Sequence, residues 1–128
     1  MATYKSFEDL PMWKASRELA ALIYKSNSLQ FQKDFGLKSQ MQRAAVSISS
    51  NIAEGFERDG NKEFIQFLSI SKGSCGETRS QLYRAIDNEY ITQEEFDLAY
   101  DKTLECSKML KGFIIYLKDS ELKGNIYK

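Results

Sequence analysis

Residues 92–118, TQEEFDLAYDKTLECSKMLKGFIIYLK, read as one amphipathic helix from end to end. Phe96, Ala99, Thr103, Cys106, Leu110, Phe113 and Leu117 recur at alternating steps of three and four. That is the a/d seam of a helix packed lengthwise against others. Thr92 and Glu95 stand at its head in capping-box spacing, each side chain able to satisfy the other's backbone N–H. One helix cannot bury such a seam alone, so the rest of the chain must supply partners.

The preceding segments have the same period. Residues 61–88 place Phe64, Phe67, Leu68, Ser71, Cys75, Thr78, Leu82, Ala85 and Ile86 along a helical face. Asn88 is expected to end that helix in a left-handed conformation. Asp59 or Asn61 is expected to cap its start. Residues 36–57 carry Leu37, Met41, Ala44, Ala45, Ile48 and Ile52 at helical spacing. Residues 11–27 begin with the single proline, Pro11, which suits a first helical turn because its missing N–H has no partner there anyway. Their apolar face is read as Trp13, Arg17, Ala20 and Tyr24, widened by Leu19, Leu22 and Ile23. Phe31 and Phe35 fall in the break after this helix and are expected to staple it to the bundle. No β-branched run reads as a strand. The expectation is all-α: one domain over 1–128, an antiparallel up-down-up-down four-helix bundle with short connections and a frayed tail at 119–128.

Composition narrows the chemistry. The 128 residues contain 18 Lys plus Arg, 18 Asp plus Glu and no His, for zero formal net charge. Lack of imidazole removes the commonest general base and metal ligand. Ser47, Ser50 and Ser74 therefore have no His to activate them. The carboxylates Glu54, Glu57, Glu63 and Glu77 lack the Glu-x-x-His pattern of a di-iron bundle. No enzyme activity, cofactor or metal is expected. Cys75 and Cys106 read as small buried residues of a reducing cytosol, without a disulfide. No stretch approaches the roughly 20 apolar residues of a spanning helix, so a cytoplasmic protein without membrane contact is expected. Zero net charge gives little repulsion between copies, which favours self-association.

Two sets of polar residues call for a role. Gln40, Arg43, Ser47, Asn51 and Glu54 share one face of the 36–57 helix. They would either fix register as a packing network or line a groove for a ligand, with Glu54 or Glu77 as the carboxylate partner of Arg43. Small residues (Ala44, Ala45, Ser47, Ser49, Ser50, Ala53, Gly55) crowd the same helix, and Gly73 and Gly76 interrupt the next. Each glycine costs about 1 kcal/mol of helix propensity against Ala. Close approach of a neighbouring backbone, within the bundle or across a subunit contact, would offset it. Lys14, Arg17, Lys38, Lys62, Lys72, Arg79 and Arg84 are candidate nucleic-acid contacts, with Lys108, Lys111, Lys118, Lys123 and Lys128 as a later cluster. Interspersed acids, such as Glu54 four residues before Arg58, fit a mixed solvent face equally well.

Residues 35–55, FGLKSQMQRAAVSISSNIAEG, complete the reading. With Phe7 and Leu10 ahead of Trp13, Glu63-Phe64-x-x-Phe67-Leu68, Gly73-Ser74-x-x-Glu77 and Gln81-Leu82, they resemble the bacterial four-helix-bundle family encoded in intervening sequences of 23S ribosomal RNA genes. The resemblance runs from about Phe7 to about Leu117. It implies a homopentamer. The related accessory proteins of diversity-generating retroelements imply an RNA, DNA or nucleoprotein partner. In this sequence Ser49 stands where many members have Pro, and Asn88-Glu89-Tyr90 stands where Leu-Gly-Tyr is usual. The expected function is a homo-oligomeric, non-enzymatic interaction protein that binds nucleic acid or a nucleoprotein. The alternative is a scaffold for a protein or small molecule.

Overall fold

A computed structural model describes residues 4–126. After a 3-10 turn, Phe7–Asp9, come α1 (Pro11–Lys25), α2 (Leu29–Lys33), α3 (Phe35–Glu57), α4 (Asn61–Asp87) and α5 (Gln93–Ile126). α3, α4 and α5 are the second, third and fourth helices expected from the sequence. The short α2 lies inside the expected break. α3 packs on α4, α4 on α5, and α1 on both α3 and α5. Sequence neighbours thus lie antiparallel around a square, and the all-α bundle is as expected.

The seam of α5 holds. Ala99, Thr103, Cys106, Leu110 and Leu117 are buried, and Phe96 and Phe113 are half-buried against the core. They meet Leu68, Cys75, Leu82 and Ala85 from α4 and Leu37, Met41, Ala45, Ile48 and Ile52 from α3. Cys75 and Cys106 are buried free thiols on facing helices. A hydrogen bond shared with Cys75, with burial added, holds the Cys106 thiol well above its ordinary range.

On α1 the core face is displaced from the expected stripe. Met12, Ala15, Ser16, Leu19 and Ile23 are buried, whereas Arg17 and Tyr24 are exposed and Trp13 is half-buried. Trp13 instead packs edge-on to Phe7, at 5.2 Å between centroids.

Capping follows the sequence at one end and departs at others. Thr92 and Glu95 form the reciprocal box: the Thr92 N–H donates to Glu95 Oε1 at 2.8 Å, and the Glu95 N–H to Thr92 Oγ1 at 3.1 Å. At the start of α4 neither Asp59 nor Asn61 caps. Gly60 takes that place with φ 125 and no side-chain bond. At the end of α4, Asn88 stays at φ −93 and Glu89 enters the left-handed region at φ 59. The Tyr90 N–H bonds Ala85 O at 2.8 Å and the Glu89 N–H bonds Ile86 O at 3.0 Å, the pair of bonds of a Schellman cap. Asn88 helps from outside it, donating Nδ2 to Arg84 O at 2.8 Å.

Of the two loop phenylalanines only Phe31 staples. It is fully buried and stacks on Tyr90 at 5.6 Å, whereas Phe35 is 79% exposed. α5 also continues past the expected end near 118, in place of a frayed tail, and stays helical to Ile126. Residues 127–128 of that tail, with Lys128, lie outside the described residues, as does the side chain of Lys123.

Candidate interaction surfaces

The polar stripe of α3 divides into two parts. In its middle, Asn51 Nδ2 donates to Ser47 O at 2.8 Å and to Ser47 Oγ at 2.9 Å. Ser74 of α4 donates its hydroxyl to Ser47 Oγ at 3.0 Å, and the buried Ser71 hydroxyl donates to Ile48 O at 2.8 Å. The Ser74 and Ser71 bonds stitch α4 to α3 and fix their register, and the Asn51 bonds hold Ser47 from within α3. Ser71, Ser74 and Thr78 are buried on the α4 side of that contact. Their recurrence at steps of three and four among apolar residues was the sequence signal for this network.

Gly55 extends the same interface. A Cβ placed there would lie 2.6 Å from Phe67 Cβ and 3.0 Å from a Phe64 ring carbon, so the close helix approach read from small residues holds at this position. Gly73 and Gly76 differ. Nothing lies within 4 Å of a Cβ at either one, so the described chain itself supplies no neighbour that calls for glycine.

The upper end of the stripe is open. Gln40, Arg43, Ala44 and Ser47 of α3 and Glu77 of α4 line a shallow groove of about 360 Å³. Arg43 is exposed, and no carboxylate among the described residues pairs with it. Of the two partners expected from sequence, Glu77 lines the same groove without an ion pair to Arg43, and Glu54 bonds Arg58 at 3.1 Å instead. Eleven residues of helix, about 16 Å, separate Arg43 from Glu54. Arg58 also lies 3.8 Å from Glu63 and over the Phe67 ring at 5.3 Å.

The candidate cations do not converge on one surface. Lys14 and Arg17 share a groove of about 460 Å³ on the outside of α1 with Trp13, Glu8, Glu18 and Ala21. The Arg17 guanidinium lies 5.8 Å from the centroid of the Trp13 ring. Lys38 is half-buried and donates to Asn27 Oδ1 at 3.1 Å. Lys62 lines a groove with Ile65 and Lys118, between α4 and α5. Lys72, Arg79 and Arg84 are distributed along α4. Outside this set, Lys102 bridges α5 to α1, with Nζ 2.7 Å from Glu18 and 3.0 Å from Glu105. The bond from Lys102 draws the Glu18 carboxyl below its ordinary range, and the bonds to Glu18 and Glu105 raise Lys102.

Gln81 was not singled out from sequence as a polar group in need of a partner. It is 9% exposed, and its Oε1 is buried without a hydrogen-bond partner among the described residues. No cluster of three acidic, Cys or His side chains able to hold a metal occurs among the described residues. No helix among them is long and apolar enough to cross a membrane.

Comparison with known proteins agrees with the fold. A search of curated proteins finds no match. A solved structure with 30% sequence identity covers 80% of this chain and 97% of its own, with a TM-score of 0.73. It is described as a protein with unknown function from the S23 ribosomal protein family of Bacteroides thetaiotaomicron VPI-5482. A family profile matches residues 8–112, which span the bundle from the first turn to the middle of α5. The chain belongs to the 23S rRNA-intervening sequence protein family.

Proposed function

We propose that this protein is a non-enzymatic interaction protein that assembles with copies of itself in the cytoplasm, in a ring of five as the family resemblance implies. The outer face of α4 carries the argument. Gly73 and Gly76 each cost the helix about 1 kcal/mol, yet no part of the described chain approaches them. Ser69 and Ser80 continue the same outward strip, and Ile70 and Tyr83 flank it at 53% and 49% exposure. A flat strip edged by apolar side chains suits close approach by a helix of a neighbouring copy. The test is solution mass. Gly73→Leu and Gly76→Leu should each lower it while helix content is retained. An assembly of unchanged mass with these side chains in place would contradict the proposal.

Nucleic acid or a nucleoprotein is the partner we favour, and the α1 groove supports it. Trp13 there lines the groove with Lys14 and Arg17, the Arg17 guanidinium 5.8 Å from its ring centroid, and with Glu8 and Glu18; an aromatic ring beside cations is a feature of single-stranded nucleic-acid binding. Binding of RNA and DNA should weaken with salt and weaken further in Lys14→Ala/Arg17→Ala. Salt-independent binding, or none at low salt, counts against this partner. The second reading is a protein or small-molecule scaffold, and the open Gln40–Arg43–Ser47–Glu77 groove favours it. Under that reading Arg43→Ala abolishes partner capture and leaves the fold intact.

A further inference from the structure

The outward side of α5 is divided by charge. Asp97, Asp101 and Glu105 are exposed in its first half, and Lys108, Lys111 and Lys118 in its second. Leu104 and Ile115 lie within the same strip at 45% and 50% exposure. Asp119 departs from the pattern near the far end. Lys102 bridges Glu18 of α1 at 2.7 Å and Glu105 of this row at 3.0 Å, and Asp97 accepts the Gln93 amide at 2.9 Å.

This order opposes the stability of an isolated helix. Asp97, Asp101 and Glu105 follow one another at steps of four, and Lys108 and Lys111 stand three apart, so like charges are neighbours along the surface. The helix dipole does not account for it, because its field acts within the first and last turns. Asp101, Glu105, Lys108 and Lys111 all lie well inside α5. Lys102 offsets the Glu105 end of the acidic row; a complementary surface outside the protomer would offset the like charges at Asp97–Asp101 and Lys108–Lys111.

We infer that the outward face of α5 pairs with the same face of a second copy, antiparallel, about a two-fold axis between Glu105 and Lys108. The acidic half of each copy then lies on the basic half of the other, so one contact forms both complementary sets, as a self-complementary two-fold interface requires. Leu104 and Ile115 are covered in the same pairing. From Asp97 to Lys118 the contact runs about 31 Å at 1.5 Å per residue. The contact is separate from the proposed ring, which uses the outer face of α4 and head-to-tail contacts.

Charge reversal tests it without knowledge of the exact register. One variant carries Asp97→Lys and Asp101→Lys; the other carries Lys108→Glu and Lys111→Glu. Each alone presents a face mainly of one sign, with Glu105 the exception in the first and Lys118 in the second. Each should therefore show half the wild-type solution mass, with self-affinity weakened on the order of a hundredfold or more. Mixed in equal amounts, the two variants restore complementarity and should regain the full mass. Variants that keep the wild-type mass overturn the inference, as does a mixture that stays at half mass. A wild-type mass of one chain at tens of micromolar overturns it too. So does loss of RNA binding by the Lys108→Glu/Lys111→Glu variant at unchanged mass, which would make the basic half a polyanion surface. Failure of the ring is a different result: the wild-type mass is then that of two chains, and the reversals still halve it.

Discussion

The Tyr90 hydroxyl donates to Asp34 Oδ2 at 2.9 Å, and Oδ1 of the same carboxylate accepts the Leu37 N–H at 3.1 Å to cap α3. One side chain thus starts α3 and holds the turn between α4 and α5. The Tyr90 carbonyl accepts the Ser28 hydroxyl at 2.7 Å, and its ring stacks on Phe31, so α2 is fastened by the same residue. The bond to the Asp34 carboxylate, with burial added, raises the Tyr90 phenol above its ordinary range. The folded-state value therefore exceeds the unfolded value of about 10. The stabilisation is whole below that value and is lost as pH rises through the folded one. Tyr90→Phe should lower the urea midpoint at pH 8 and flatten its decline above pH 10. An unchanged midpoint would show that the bond contributes nothing.

Glu89 holds a left-handed conformation that disfavours a side chain bearing Cβ by roughly 1–2 kcal/mol. Glu89→Gly relieves it and keeps the Schellman bonds, which use backbone alone. We expect about 1 kcal/mol of added stability by chemical denaturation, whereas Asn88→Gly should give no gain.

The two kinds of glycine should respond oppositely. Gly55→Ala drives a methyl into Phe67 and should destabilise by about 1–3 kcal/mol. Gly73→Ala meets open space in the chain itself. It should stabilise the dissociated protein by about 1 kcal/mol, measured at concentrations too low for assembly.

Gln81 Oε1 is buried without a hydrogen-bond partner among the described residues. An unsatisfied buried polar atom costs about 1–3 kcal/mol, so Gln81→Leu should raise the thermal midpoint. A fall would show that the amide is bonded in solution.

Local chemistry was legible in the sequence. The Thr92–Glu95 box, the α5 seam and the Glu54–Arg58 pair depend on residues three or four apart, and all three are present. Features set by distant partners were not. Phe31 and Phe35 stand four apart in one polar break, yet one is fully buried and the other exposed, because Tyr90 lies against only the first. The α1 stripe was displaced because Trp13 packs outward onto Phe7, a contact its own periodicity does not encode. The polar stripe of α3 read as one feature because its spacing is uniform. Only the position of Ser74 separates its stitched middle from its open end.

The Glu18–Lys102 bridge has a bearing on how the protein behaves in different solutions. It moves an acid downward and a base upward, Tyr90 moves upward, and there is no histidine to titrate between. The molecule therefore keeps a nearly constant set of charges from mildly acidic to mildly alkaline solution. Acidification within that span leaves its surface pattern as it was. The variable to which its charged contacts respond is ionic strength.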